Sequence, residues 1–584
     1  MNCRKAAAIA ALVLVAASSQ VNAALVISSE ATHGVTCSGG TCKATAQSAV
    51  LNVSTVKSLL AAGPVSLQST NIALDVVINA DIAWPQKYGL LLDGYRSVVI
   101  NRPIVSEGGG TIYVQTNNGG SGGVYGYGTD GSISCWDLHT LVYINAVKFT
   151  LVNSVPGLAA AIHSNPAGNY AFSNAYDASQ DGVYSKAPIQ TVFTGKLEGL
   201  GNVISNLSID DPTPHDYVGL FVEIGKQSLI RNLRLYALNV TGADLGYPGY
   251  GAIGGIAAKS DNSGVERSSV HGHIKGGSGG PVGGLIGQNF GTHIDHSHFV
   301  GTVSGGAESF VGGMIGELNG GIYNSTVVGT ISGGDGGTVG GLIGYAEGAY
   351  SSTFTGTVRV GNATAFSSAL AGGIVGYGGY IRSCRSKGHI IVGNDAAAGG
   401  IVGVSDDEIV DSSSSATISG GNRSLVGGFA GSLGGPTSFS YATGSVTGKK
   451  GSTVGGFTGH NSGQLSNIYS FGAASGGKGS TVGGFIGVYT GTLDKSYSIG
   501  AVSGEKVGGF AGYSGSGFDD DYWDVTTSGT DTGVGEAHGG DSRPIGLTDT
   551  QLKAALPSGF DPKIWGQSPN INGGYPYLLA NPPQ

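Results

Sequence analysis

Charged side chains are scarce: they make up 11% of the 584 residues, while glycine alone contributes 108. That is not the composition of an average globular enzyme. With 29 Lys and Arg against 38 Asp and Glu, the formal charge is -9 and no basic stripe forms, which argues against nucleic acid and against an anionic membrane surface. Beyond the leader no run reaches the roughly 18 uninterrupted apolar residues of a membrane span, and the tail Asn581-Pro582-Pro583-Gln584 offers no hydrophobic anchor. Helix-length amphipathic segments are missing between the apolar runs, which excludes a βαβ sheet. Disorder is excluded too, because 40% of the chain is hydrophobic and Val, Ile, Phe and Tyr recur in register.

The leader has the form of an export signal spanning residues 1–23. Arg4 and Lys5 precede the apolar run from Ala6 to Ala17, and Val21-Asn22-Ala23 forms a small-residue cleavage site. Cys3 leaves with that segment, so Cys37, Cys42, Cys135 and Cys384 remain in an oxidising compartment. Cys37 and Cys42 bracket four turn-forming residues and are expected to close a disulfide. Cys135 and Cys384 are expected to be free, since stacked coils would hold them far beyond the limit of about 7 Å between bridged Cα atoms.

What is abundant is a repeat. Ten phrases pair a small or branched apolar residue, Gly-Gly and a large apolar residue, with the glycine pairs starting at Gly254, Gly283, Gly312, Gly340, Gly372, Gly399, Gly427, Gly455, Gly483 and Gly508. Most steps are 28 or 29 residues. Such a period means a stacked array, and it is short of the roughly 40 residues of a propeller blade. The apolar residues flanking each pair, from Ile253 and Ile256 to Val507 and Phe510, are expected to face the core. The glycine pair is read as a bend that exploits positive φ and close backbone approach, and the last four coils should stack Phe429, Phe457, Phe485 and Phe510.

Phrases such as Ile294-Asp295-His296-Ser297-His298-Phe299 supply two further short strands per coil, joined by glycine corners. Cys384 falls in the column of Ser297, Ser325 and Ser412, where a small packed side chain is expected. The fold class is therefore all-β, a right-handed parallel β-helix (β-solenoid) with short capping helices at the two ends. A helix N-capped by Ser54 and stopped by Gly63-Pro64 begins it, and a capping box of Thr548 with Gln551 begins the helix near its end. Trp565, Tyr575, Tyr577 and Leu578 are assigned as an apolar lid on the last coil. The expected organisation is a signal peptide at 1–23, an N-terminal cap at 24–64, irregular coils at 65–215, the regular solenoid at 216–515 and a C-terminal cap at 516–584.

The phrases at Gly284 to Gly287 and Gly341 to Gly344, with the lead-in from Phe193 to Leu207, resemble GLUG-motif repeats. The stretch from Val56 to Thr116, including Leu90-Leu91-Leu92-Asp93-Gly94-Tyr95-Arg96, is similar to the rod of filamentous-haemagglutinin-type secreted proteins. The resemblance implies a surface or secreted module. No Asn-Pro-Asn motif of the secretion domain of such adhesins occurs. GLUG repeats also accompany immunoglobulin-cleaving metallopeptidases, whose His-Glu-x-x-His zinc motif is missing here.

Letters matching catalytic motifs carry no site. Gly-x-Ser-x-Gly occurs at Gly119 to Gly123 and Gly276 to Gly280 without a strand-to-helix elbow. Gly126 to Gly131 matches a dinucleotide fingerprint with no helix to follow, and Gly472 to Lys478 lacks the Ser or Thr of a phosphate loop. His271 and His273 lie one coil before His293, His296 and His298, and His296 with His298 is read as an outward His-x-His pair. Asp519-Asp520-Asp521 with Asp524 is read as a solvated acidic turn, with calcium as the alternative. No catalytic residue, cofactor or metal ligand is assigned. The expected function is a non-catalytic adhesin or structural rod, secreted or at the cell surface with the periplasm as an alternative. It would bind a protein or glycan on a surface through its outer face and through the loops Gly119 to Gly131 and Gly242 to Tyr250. An outer-membrane secretion partner is left open, and the rival is a polysaccharide-acting β-helix lyase or hydrolase.

Overall fold

The computed structural model describes residues 23–246, 251–538 and 543–583, so the signal segment lies almost wholly outside the described residues. The chain is a β-solenoid with a few short helices and divides into two compact units. The first comprises the chain through Asn153 with Ala171–Asn174 and Leu200–Asn202; the second comprises Ser154–Tyr170, Ala175–Gly199 and the chain from Val203. The boundary falls inside the region expected to be one irregular section.

In the first unit, short parallel strands build three ladders. Ala24–Ser28, in the stretch expected as the N-terminal cap, sits between Ser48–Asn52 and Asp75–Ile78 and pairs in parallel with both. Cys37 and Cys42 face each other across an antiparallel hairpin and form the expected disulfide. Helix α1 (Val53–Ala62) buries Val56 and Leu60 in the core. Its N-cap is Asn52, whose side chain accepts from Ser54 N, and not Ser54 itself. Helix α2 (Val155–Ser164), capped by Ser154 with Pro156 in its first turn, opens the second unit and was not foreseen.

The four repeats between Pro281 and Val392 each supply three strands, such as Pro281–Gly283, Ile286–Asp295 and His298–Ser304, and in the coils from Ala397 to Ser503 these break into four or five. They pair in parallel and in register with the next coil, Val282 against Val311 and Phe299 against Val327. Both apolar columns face the core as expected, except that Val507 at the end is only half-buried. The four phenylalanines stack with centroids 4.5, 5.3 and 4.8 Å apart.

The glycine pairs work differently from the expectation. None has φ in the left-handed region. They are glycine because of contact: a Cβ on Gly283 would lie 1.9 Å from Ile286 O, and one on Gly284 would lie 2.1 Å from Gly313 O. The left-handed corners belong instead to other residues, with φ of 48° at His296 and Asn324, 49° at Ser351, 55° at Ser383 and 53° at Asp411. What compensates this conformation is the next column. Ser268 N donates to Ser297 Oγ (3.2 Å), Ser297 N to Ser325 Oγ (3.1 Å) and Ser325 N to Ser352 Oγ (3.1 Å), so each corner is tied to the following coil.

Cys384 occupies this ladder, its N–H donating to Ser412 Oγ at 3.1 Å. Burial pushes the thiols of Cys384 and Cys135 up to about 12, and both are free. Cys135 and Cys384 of the folded, unreduced protein are therefore expected to resist labelling by a thiol-disulfide reagent at mildly alkaline pH, and to be labelled after denaturation. Labelling of either in the folded chain would contradict the packing.

Helix α3 (Val525–Ser528) is capped by Asp524, and helix α4 (Asp549–Ala554) begins with the expected Thr548–Gln551 capping box. The segment after α4 does not lie on the open coil end. Trp565, Tyr575 and Leu578 are buried against the side of the stack, on the column Tyr441, Tyr469, Tyr497 and Tyr522. Trp565 Nε1 donates to Asn467 Oδ1 at 3.0 Å, and Asn581 Nδ2 reaches Ser412 O (3.2 Å) and Phe439 O (3.0 Å) several coils back. The expected lid is a strap, because the tyrosine column offers a larger apolar surface than one coil edge.

Candidate functional site

Three successive strands, Ile315–Tyr323, Ile343–Tyr350 and Val375–Arg382, each begin with a core-facing aliphatic residue and a buried glycine. Alternation then turns the next residue outward, giving the column Glu317, Tyr345, Tyr377. At the other strand end the outward column is Tyr323, Tyr350, Arg382. Tyr345 and Tyr377 stack with centroids 5.4 Å apart; Tyr323 and Tyr350 stack at 4.9 Å with planes 8° apart. His293 extends this second stripe, 5.5 Å from Tyr323. Tyr380, which is 52% exposed, stands between the two stripes, opposite Gly348 in the ladder.

Between the stripes the strands carry glycine, at Gly320 and Gly321, Gly348, then Gly378 and Gly379, as far as Tyr380. The rings of Tyr323 and Tyr350 lean into that space, as a Cβ on Gly321 would come 2.6 Å from the first and one on Gly348 2.8 Å from the second. A shallow trough lined by tyrosine rings lying over glycine results, with Tyr380 projecting from its midline. It continues in register along the stack, because Ile381 N donates to Glu408 O (3.1 Å) and Ile409 N to Pro436 O (2.9 Å). Beyond Glu408 the same register leads to a cleft of about 490 Å³ lined by Gly434, Pro436, Gly463, Gln464, Gly491 and Thr492.

The electrostatics of the trough are mild and acidic. Burial raises the phenol of Tyr377, helped by Asp406, and burial with Tyr323 raises that of Tyr350. Both hydroxyls therefore stay protonated as donors and acceptors. Asp407 accepts the Gly379 N–H at 3.0 Å. Arg382, at one margin, faces Asp411, whose carboxyl burial pushes up.

This site lies where the sequence reading did not look. In the loop Gly119 to Gly131, Tyr125 is buried and stands edge-on to the half-buried Tyr127 at 6.0 Å. The loop Gly242 to Tyr250 runs outside the described residues from position 247. A usable signal existed: Tyr345 and Tyr377 each stand five residues after the start of their glycine pair.

The histidines do not converge. His296 occupies a left-handed corner and pairs with Asp295 (2.8 Å), while His298 is on the following strand with its ring held below the usual range by burial and then by His296 and His271. His273 contacts Thr302 at 2.8 Å. Among the described residues no group of three His, Cys, Asp or Glu is placed to hold a metal ion.

The acidic turn is not uniformly solvated, contrary to expectation. Asp519 is exposed, but Asp521 is buried and accepts from Ser496 N (3.0 Å) and Asp519 N (3.2 Å). Asp524 is buried as well and caps α3 through Thr526 N (2.8 Å) and Thr527 N (3.1 Å). Each carboxylate replaces a missing backbone partner, the reason a buried acid is tolerated.

Burial, reinforced by Asp494 and Asp519, holds the Asp521 carboxyl well above the usual range despite its two N–H donors. As pH rises through the unfolded value near 3.9, the unfolded chain loses its proton while the folded chain retains it, so stability falls. Asp521→Asn lacks that loss. Its Tm relative to the parent is expected to improve from about pH 4 to neutrality; a pH-independent difference would contradict a protonated Asp521.

Among the described residues no helix is long and apolar enough to cross a membrane. No family model and no curated protein matches the chain. Among solved structures, an IgA1 protease aligns over 53% of this chain and 21% of its own, at 19% identity and a TM-score of 0.22. The aligned part thus spans about a fifth of that protease chain, and at that score the likeness carries no argument about activity.

Proposed function

We propose that this chain is an exported β-solenoid, secreted or displayed at a cell surface, that acts as an adhesin or spacer without catalysing a reaction. The observation that carries this reading is the tyrosine-lined trough on the regular coils. Tyrosine offers a large, rigid, amphipathic contact at low entropic cost, which suits recognition of protein or glycan. The glycine and apolar columns are committed to building the coil, which leaves outward side chains free to vary. The Cys37–Cys42 disulfide favours an oxidising compartment. The GLUG-like phrases are consistent with a surface module.

The test is an array of glycans and matrix proteins run beside a reducing-sugar release assay, with cells and medium fractionated by an antibody to the repeat coils. Saturable binding without sugar release, and antigen outside the cytoplasm, are expected. Sugar release abolished by changing one carboxylate would instead make the chain a polysaccharide-acting enzyme.

A further inference from the structure

We infer that the trough is the binding site for a linear, uncharged, hydroxyl-rich glycan lying parallel to the stacking direction of the coils, a conclusion that rests on the adhesive reading above. The site is long and narrow rather than cupped. It runs from the stacked pairs Tyr323–Tyr350 and Tyr345–Tyr377, past Tyr380, to the cleft of about 490 Å³ at Gln464 and Thr492. Only an extended chain could fill such a surface.

Repetition favours a polymer. Tyrosines recur on three successive coils, Tyr323, then Tyr345 with Tyr350, then Tyr377 with Tyr380, about every 4.8 Å, close to the length of one pyranose unit in an extended β-linked glycan. The stacked tyrosines cover one another's faces and present edges and hydroxyls. Tyr380 makes no ring contact within the described residues, so its face is open to a sugar ring. Its protonated phenol neighbours, with Gln464 and Thr492 farther along, supply neutral donors and acceptors of the kind that position a polyol.

Charge decides between classes of glycan. Glu317 stands in the same column as Tyr345, and Asp406 and Asp407 border Tyr377. Arg382 is the cation at the margin, facing Asp411. A sulfated or uronate-rich chain would meet like charge along the trough, whereas a neutral one would not. A folded protein ligand is disfavoured because the cleft is lined mainly by glycine and by polar side chains such as Gln464 and Thr492, a poor seat for an apolar anchor.

The test is affinity electrophoresis of the full chain in native gels containing xyloglucan, galactomannan, mixed-linkage β-glucan or heparin, with Tyr345→Ala/Tyr380→Ala and, on another outward column, His273→Ala. Thermal melts of each variant establish folding. Retardation by at least one neutral glycan is expected, weakened about tenfold in the double tyrosine variant. It should be unchanged in His273→Ala and insensitive to about 1 M salt. Retardation equal in the tyrosine variant and the parent would overturn the site, and retardation by heparin alone, lost in salt, would overturn the ligand class. Capture by matrix proteins with no retardation in any gel would overturn this inference and leave the adhesive reading standing. Retardation with sugar release that disappears in Asp407→Asn would do the reverse, keeping the glycan site and removing the non-catalytic reading.

Discussion

Gly284→Ala should destabilise the repeat coils by about 3 kcal/mol or more, because the new methyl group has no room. Its Cβ would lie 2.1 Å from the carbonyl oxygen of Gly313 in the next coil and 2.5 Å from the ring of Phe299. The oxygen belongs to backbone that is itself paired in the stack, so relief requires separating two coils. In a linear array that damage spreads through nearest-neighbour interfaces. The informative comparison is Gly479→Ala. Gly479 has φ of 77° but its Cβ would meet nothing closer than 4.0 Å, so only the conformational penalty of about 1–2 kcal/mol applies. Urea titrations followed by circular dichroism should rank the two in that order. Equal costs would mean that the glycine pair is chosen for backbone freedom after all.

Trp565→Ala should cost about 3–5 kcal/mol and loosen coils far from position 565 in the chain. Its indole lies 6.2 Å from Tyr469, 5.9 Å from Tyr497 and 4.5 Å from Phe560, and its N–H is bonded to Asn467. Loss of that plug would hydrate the tyrosine column and free the strap up to Asn581. Hydrogen exchange should quicken in the strands Gln464–Ser470 and Thr492–Ser498 while Ile286–Asp295 stays protected. If only the coil end around Val534–Ala537 loosened, the tail would be a lid and the strap geometry would be wrong.

Much of the fold was legible because a repeat prints each structural demand ten times. Val282, Leu285 and their equivalents identify the core by recurrence, and the Phe429 to Phe510 stack follows from the same alignment. The left-handed corner was not legible. Its column contains His296, Asn324, Ser351 and Asp411, which share a backbone conformation but no side-chain chemistry. The trough was hidden for a similar reason. Tyr323 and Tyr350 pair across the coils, yet they stand eleven and ten residues after the starts of their glycine pairs, so a fixed offset does not align them.

By itself the sequence determined that this protein is a stack of β coils, which residues fill its interior and that Cys37 and Cys42 are bonded, since each depends on local spacing or on a period. Tertiary structure alone decided why the paired glycines are obligatory, where the C-terminal aromatics dock and which tyrosines meet. Those are contacts between coils or between distant segments, and their distances are set by how the chain stacks rather than by how far apart residues stand along it.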